Sequence, residues 1–198
     1  GLTETRFVDH HGDEMTLYKY IVFSCNDGEQ TMGRRSNEIV IGAPLSVPYG
    51  GVFAEPNDMY NYYTILDEND DYYTWTYDGS TGAAFYPYNF QRHADDWMIS
   101  PPIKYYEGDV YPLQFSAFSL SEDYPESLLV TFGSGKNPFS QSTILLDMPE
   151  LPAIDEEDNV NVYSVDITVP LSGVYYYGFK AYSPEWSSYL YLYNITMK

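Results

Sequence analysis

Basic residues are scarce. Nine Lys and Arg stand against 29 Asp and Glu, for a formal net charge of −20. That balance repels phosphate backbones and anionic headgroups, so it argues against nucleic acid and against a membrane surface as partners. Cysteine occurs once, as Cys25, which excludes an internal disulfide. Its setting in the run YIVFSC reads as a buried, inert thiol rather than a nucleophile. The three histidines are too few for a typical zinc site, and no Gly-x-Ser-x-Gly motif supplies a nucleophile. No stretch approaches the ~20 apolar residues of a membrane helix, and no signal peptide is visible. The chain opens on Gly1 rather than Met, read here as the start of a processed or recombinant fragment.

What is present points to sheets. Hydrophobic residues make up 44% of 198 positions and 23 are tyrosine, enough for a core and suited to strands with half-exposed faces. Strand patterns run through LYKYIVFS (17–24), EIVIG (38–42), AAFYPY (83–88), WMIS (97–100), YPLQFSAF (111–118), SLLVTFG (127–133), STILLDM (142–148), NVYSVDITV (161–169), GVYYYGFKAY (173–182) and SYLYLYNITM (188–197). Most alternate with period two between turn signals such as GSGKNP and LSG, and no segment keeps a helical period. The expectation is an all-β chain, an antiparallel jelly-roll β-sandwich.

The segment GAPLSVPYGG, residues 42–51, interrupts this pattern with glycine and proline and marks a boundary. It divides the chain into residues 1–43, a linker over 44–51, and a main domain over 52–198. Upstream, TRFVD, the Tyr18-x-Tyr20-x-Val22 strand, NDGEQ and NEIVIG resemble the C-terminal half of a fibronectin type III domain, with Tyr18 as its corner tyrosine. Half a sandwich leaves its inner face uncovered. Residues 1–43 are therefore expected to dock on the main domain or pair with another copy.

Downstream the order of features carries a second resemblance. YYTILDENDDYYTW, GAAFYPYN, ADDWMISPPI, YPLQFSAFS, SLLVTFGSG and YLYLYNITM follow one another as the equivalent motifs do in the cleaved-adhesin and choice-of-anchor J families. The resemblance implies a two-sheet jelly roll that binds a host protein or a glycan without catalysis, secreted or held at the cell surface, and appended to other domains. Many relatives bind structural calcium. The alternatives kept beside it are a carbohydrate-binding module of a glycan-uptake system and an accessory domain of a secreted peptidase. A glycosidase would need two carboxyls ~5 to 10 Å apart in a cleft, one with a raised pKa.

Two groups of residues are candidates for contact with a ligand. Asp67, Asn69 and Asp71 alternate in LDENDDYYTW, a spacing that brings oxygen ligands to one side as in a calcium loop. The EF-hand pattern fails, because Tyr72 stands where the turn glycine belongs and Asp78 where the final glutamate would be. Calcium or a hydrated turn would each relieve the repulsion among these acids. The relatives' closing strand supplies another acid, but here Tyr193 holds that place beside Asn194. In HADDWMISPPI, Asp95 and Asp96 begin a strand and so face opposite ways. Asp96 is the one expected to meet a cation near the DENDD loop, with Trp97 in the core. In AYSPEWSSYLYLY, Tyr182, Trp186 and Tyr189 form a candidate glycan or protein platform on a loop; a Trp186 that plugs the end of the core is the competing reading.

Overall fold

A computed structural model describes residues 4, 6–10, 15–26, 28–87, 89–154 and 160–198. The chain divides into two compact units, Gly1–Pro44 and Leu45–Lys198.

In the first unit, β1 (Thr16–Val22) pairs antiparallel with β4 (Arg34–Ile41), and the short β2 (Cys25–Asn26) pairs with β3 (Glu29–Gln30). The register slips between Lys19 and Ile21. Tyr18 stacks on Tyr20, whose hydroxyl donates to Asp9 at 3.2 Å. Cys25 is exposed, not buried: it opens a two-residue hairpin strand, too short to cover its own side chains.

The second unit begins before the expected domain start. Residues 44–51, read as a linker, contribute a bridge from Leu45 to Ile103 and a strand, β5 (Tyr49–Gly51), paired with the last strand of the chain. Glycine makes the pairing possible. Gly50 takes φ +109°, and a Cβ there would sit 2.1 Å from the Ile195 carbonyl. What reads as punctuation in sequence is a close backbone contact in space.

The remaining elements are α1 (Pro56–Tyr60), β6 (Thr64–Asp67), β7 (Thr76–Asp78), β8 (Ala83–Tyr86), β9 (Asp96–Ile99), β10 (Ile103–Tyr105), β11 (Val110–Ser119), β12 (Glu126–Gly133), β13 (Thr143–Leu151), β14 (Val162–Thr168), β15 (Gly173–Ala181) and β16 (Leu190–Met197). One sheet runs β13-β12-β15-β9-β6, with β10 beside β15; the other runs β14-β11-β16-β8-β7, with β5 beside β16. All these pairs are antiparallel. From β8 to β16 the chain crosses between sheets at six of eight steps, as in a jelly roll. The expected antiparallel β-sandwich is the fold.

Alternation decides what lies between the sheets. On β11, Tyr111, Leu113, Phe115 and Ala117 enter the shared core. On β16, Leu190 and Leu192 do so; then Asn194, at φ +54°, shifts the phase, and Ile195 and Met197 follow. Tyr191 and Tyr193 consequently face outward. β9 differs from the expected arrangement: Met98 belongs to the inter-sheet cluster and Trp97 does not. Trp97 is buried on the outer side of its sheet with the Lys180 ammonium 5.5 Å above its ring. Alternation then turns Asp96 inward.

Candidate functional site

Three loops meet at one end of the sandwich: residues 68–75 after β6, 87–95 after β8 and 182–189 after β15. Asn89 ties them together, with 8% of its surface exposed. Its Nδ2 donates to Asp71 Oδ2 at 2.8 Å, its Oδ1 accepts the backbone N–H of Gln91 and Arg92, and its carbonyl accepts the Trp186 N–H at 3.2 Å. Asn69 Nδ2 donates to the His93 carbonyl at 2.7 Å, and the Ala94 N–H donates to the Ser183 carbonyl. The acidic loop and the aromatic loop, far apart in sequence, thus share one scaffold.

That scaffold holds aromatic side chains in the open. Asp70, Tyr72 and Trp186 have φ of 53°, 68° and 69°, in the left-handed region that bulky side chains disfavour. Tyr72 is 95% exposed and Trp186 58%. Trp186 packs on Phe90 with ring centroids 5.8 Å apart. A cleft of about 210 Å³ is lined by Asp70, Asp71, Tyr72, Tyr73, Asn89, Gln91 and Arg92. It offers both signs of charge, an amide and ring surface to a polar ligand.

The residues of the expected platform have separate neighbours. The Tyr182 hydroxyl donates to Asp147, Trp186 packs on Phe90, and Tyr189 lies 6.4 Å from Phe85. Trp186 does not plug the core. Its ring partner Phe90, and the cleft residues Tyr72, Tyr73 and Arg92, were missed because no sequence signal links three loops that only strand pairing brings together.

Asp67 ends β6 directly opposite Asp96 in β9. Asp67 accepts the N–H of Asp71 and Tyr72 at 3.2 and 2.9 Å, and Asp71 accepts that of Tyr73 at 2.8 Å. Backbone donors therefore relieve part of the crowding of charge. Asp96 is fully buried; its Oδ2 accepts the Tyr86 hydroxyl at 2.9 Å and the Asp95 N–H at 3.1 Å. Burial pushes its carboxyl up to about 6, against the opposing pull of these donors and of the Thr74 hydroxyl. That hydroxyl faces the carboxyl but falls short of hydrogen-bond geometry. Trp75, fully buried, pins the loop by donating from Nε1 to the Asp96 carbonyl at 3.2 Å.

Three buried oxygens in this neighbourhood have no partner: Asn69 Oδ1, Thr74 Oγ1 and Asp96 Oδ1. Oxygen-only donors suit a hard cation, so the residues fit calcium in kind. Among the described residues no three His, Cys, Asp or Glu side chains gather as a ligand cluster. A site here would rely on amide, hydroxyl and backbone oxygens beside the carboxylates.

Glu126, at the head of β12, is the other buried acid, with 1% exposed. Ser183 donates to its Oε2, and burial pushes its pKa up to about 7. With Asp96 at 0% and Glu126 at 1%, the two carboxyls whose pKa burial raises are both closed off from solvent.

No family model matches the sequence, and no curated protein is a significant match. Among solved structures, the K1 cleaved adhesin domain of Lys-gingipain from Porphyromonas gingivalis is similar, at 15% identity and a TM-score of 0.56, over 69% of this chain and 89% of that one. The K2 cleaved adhesin domain of Lys-gingipain gives 14% and 0.58 over 77% and 99%. The N-terminal cellulose-binding domain of β-1,4-glucanase C from Cellulomonas fimi gives 14% and 0.51 over 79% and 97%. At such identities the likeness is one of fold: this chain carries the β-sandwich seen in cleaved adhesin domains.

Proposed function

We propose that the chain is a non-catalytic recognition module that acts outside the cell and binds a glycan at its loop end, through Tyr72 and Tyr73 at the cleft and through Trp186 with Phe90 on the loops that Asn89 ties to it. The observation that carries this reading is backbone conformation. Left-handed φ at Tyr72 and Trp186 costs on the order of 1 kcal/mol or more at each residue, and it holds both rings in solvent. Rigid rings beside an Arg, an amide and two acids match the alternating apolar faces and hydroxyls of a sugar. Likeness of fold to adhesin and cellulose-binding domains supports the class of ligand. A glycan array followed by titration of the best hit tests it. Trp186→Ala is expected to weaken binding by roughly tenfold, the scale of one lost stacking contact, with the melting temperature unchanged. Full affinity in that variant, or an array without hits, would overturn the reading.

A second reading rests on the three unpartnered oxygens. Asp67, Asn69, Asp71 and Asp96, with Thr74, are proposed to hold a structural calcium ion that fixes the loop carrying Tyr72 and Tyr73. Calcium added to chelator-stripped protein should raise the melting temperature, since a ligand at 100 times its Kd stabilises by about 2.7 kcal/mol. Asn69→Ala should abolish that rise. No shift at millimolar calcium would leave the loop to its backbone donors alone.

A further inference from the structure

Aromatic rings form a row on the outer face of the second sheet. Tyr189 lies 6.4 Å from Phe85, Phe85 stacks on Tyr191 at 5.8 Å, Tyr191 stacks on Phe118 at 5.0 Å, and Phe118 meets Tyr193 edge-on at 6.3 Å. Beside this row a groove of about 360 Å³ opens between Phe118, Tyr191 and Tyr193 and the apolar side chains of Ala83, Ile154 and Val160. Alternation with the inward Leu190 and Leu192 leaves both Tyr191 and Tyr193 pointing outward.

Three properties define what fits. Apart from Thr81 and the two phenols, the walls are apolar. Tyr191 and Tyr193 are half-buried, and burial pushes both phenols above their ordinary range, so each keeps a neutral hydroxyl that can donate and accept; no described residue bonds either one. No Lys, Arg or His lines the groove, while Asp78 is close enough to raise Tyr191 further.

We propose that this groove is a second binding site, for an uncharged pyranose unit of a polysaccharide. A pyranose presents an apolar C–H face to ring and aliphatic walls and equatorial hydroxyls to two free phenols. A uronate or sulfated sugar would bring negative charge beside Asp78, into a chain of net charge −20, with no cation to receive it. An alkyl chain or apolar peptide side chain would bury the two phenols without partners, a cost that a sugar's hydroxyls avoid. This site is separate from the loop end and stands whether or not Trp186 binds a glycan.

The test is calorimetric titration of the 198-residue chain with cellohexaose, xylohexaose and laminarihexaose, and with hexagalacturonate as the anionic probe. At least one neutral probe is expected to bind. Tyr191→Ala should weaken it by roughly tenfold, Tyr193→Phe by roughly threefold to tenfold through loss of the hydroxyl alone, and Trp186→Ala should leave this site's affinity unchanged. Tyr193→Phe keeps the ring, so a folding defect in Tyr191→Ala does not blunt the test. The proposal is overturned if no neutral probe binds, if hexagalacturonate binds as tightly as the neutral probes, or if both tyrosine variants bind like the parent. Binding lost only in Trp186→Ala would also overturn it, while supporting the loop-end site.

Discussion

Glu126 carries a proton where a solvated carboxyl would not. Its pKa moves from 4.5 to about 7 because burial disfavours the charged form more than the Ser183 hydroxyl favours it. Between those values the folded state binds more protons than the unfolded state. Stability from this residue is therefore fully present below about pH 4.5 and is lost as pH rises to about 7. The size of the loss is on the order of 3 kcal/mol. Glu126→Gln keeps the shape without the charge, so it should be more stable than the parent at pH 8 and about equal at pH 5, as read from denaturant melts. Identical pH dependence in the two proteins would show that the carboxyl is not buried as described. The same physics explains why the acid pair of HADDWMISPPI could be only half read. Alternation separates Asp95 from Asp96, and Asp95 pairs with Lys180 at 2.6 Å. Nothing in the sequence says that the inward member would be the acid and the outward member the tryptophan, because that choice belongs to Tyr86, which donates to Asp96 from the facing sheet.

Among elements, the long strands and the four-residue β8 and β9 were legible, and the three-residue strands were not. Over 8 residues, β12 and β16 give the period-two pattern room to repeat. β7 and β10 have 3 residues each and cannot display a period. α1, with 5 residues, barely exceeds one turn, so no helical stripe could announce it; Asp58 reaching back to the Glu55 N–H starts it instead. β5 was hidden for a different reason: its two glycines read as a linker. Gly50→Ala tests this reassignment, since the added Cβ would press on the Ile195 carbonyl and the φ of +109° would be strained. The substitution should cost at least about 1 kcal/mol and lower the melting temperature by several degrees. A true linker would tolerate it, and an unchanged melting curve would restore that reading.

For the whole molecule, the second unit holds a complete core. Among the described residues, its clustered buried side chains run from Phe53 to Met197. The segment Leu45–Lys198 alone should accordingly unfold in one cooperative step and keep its aromatic near-UV signal. A chain beginning at Val52, which lacks β5, should be less stable than one beginning at Leu45. Loss of the cooperative transition in Leu45–Lys198 would mean that the core depends on residues 1–44. The net charge of −20 acts on the whole fold through self-repulsion. With chelator present, raising NaCl from ~10 to ~200 mM should raise the melting temperature, because the screening length falls from roughly 30 Å to below 10 Å. A curve insensitive to salt would show that the acids are already neutralised within the structure.

The sequence by itself determined the β class, the ordered motifs of a cleaved-adhesin-like sandwich, and the absence of an internal disulfide. These follow from composition and from local periodicity, which neighbouring residues express directly. Only the tertiary structure decided where recognition could occur. Asn89 joins loops that are distant along the chain, Ser183 reaches Glu126 across 57 positions, and the pairing of β16 with β11 sets Tyr191 and Tyr193 outward beside Phe118. Each depends on register between strands far apart in sequence, and register is set by which side chains the opposing sheet will bury.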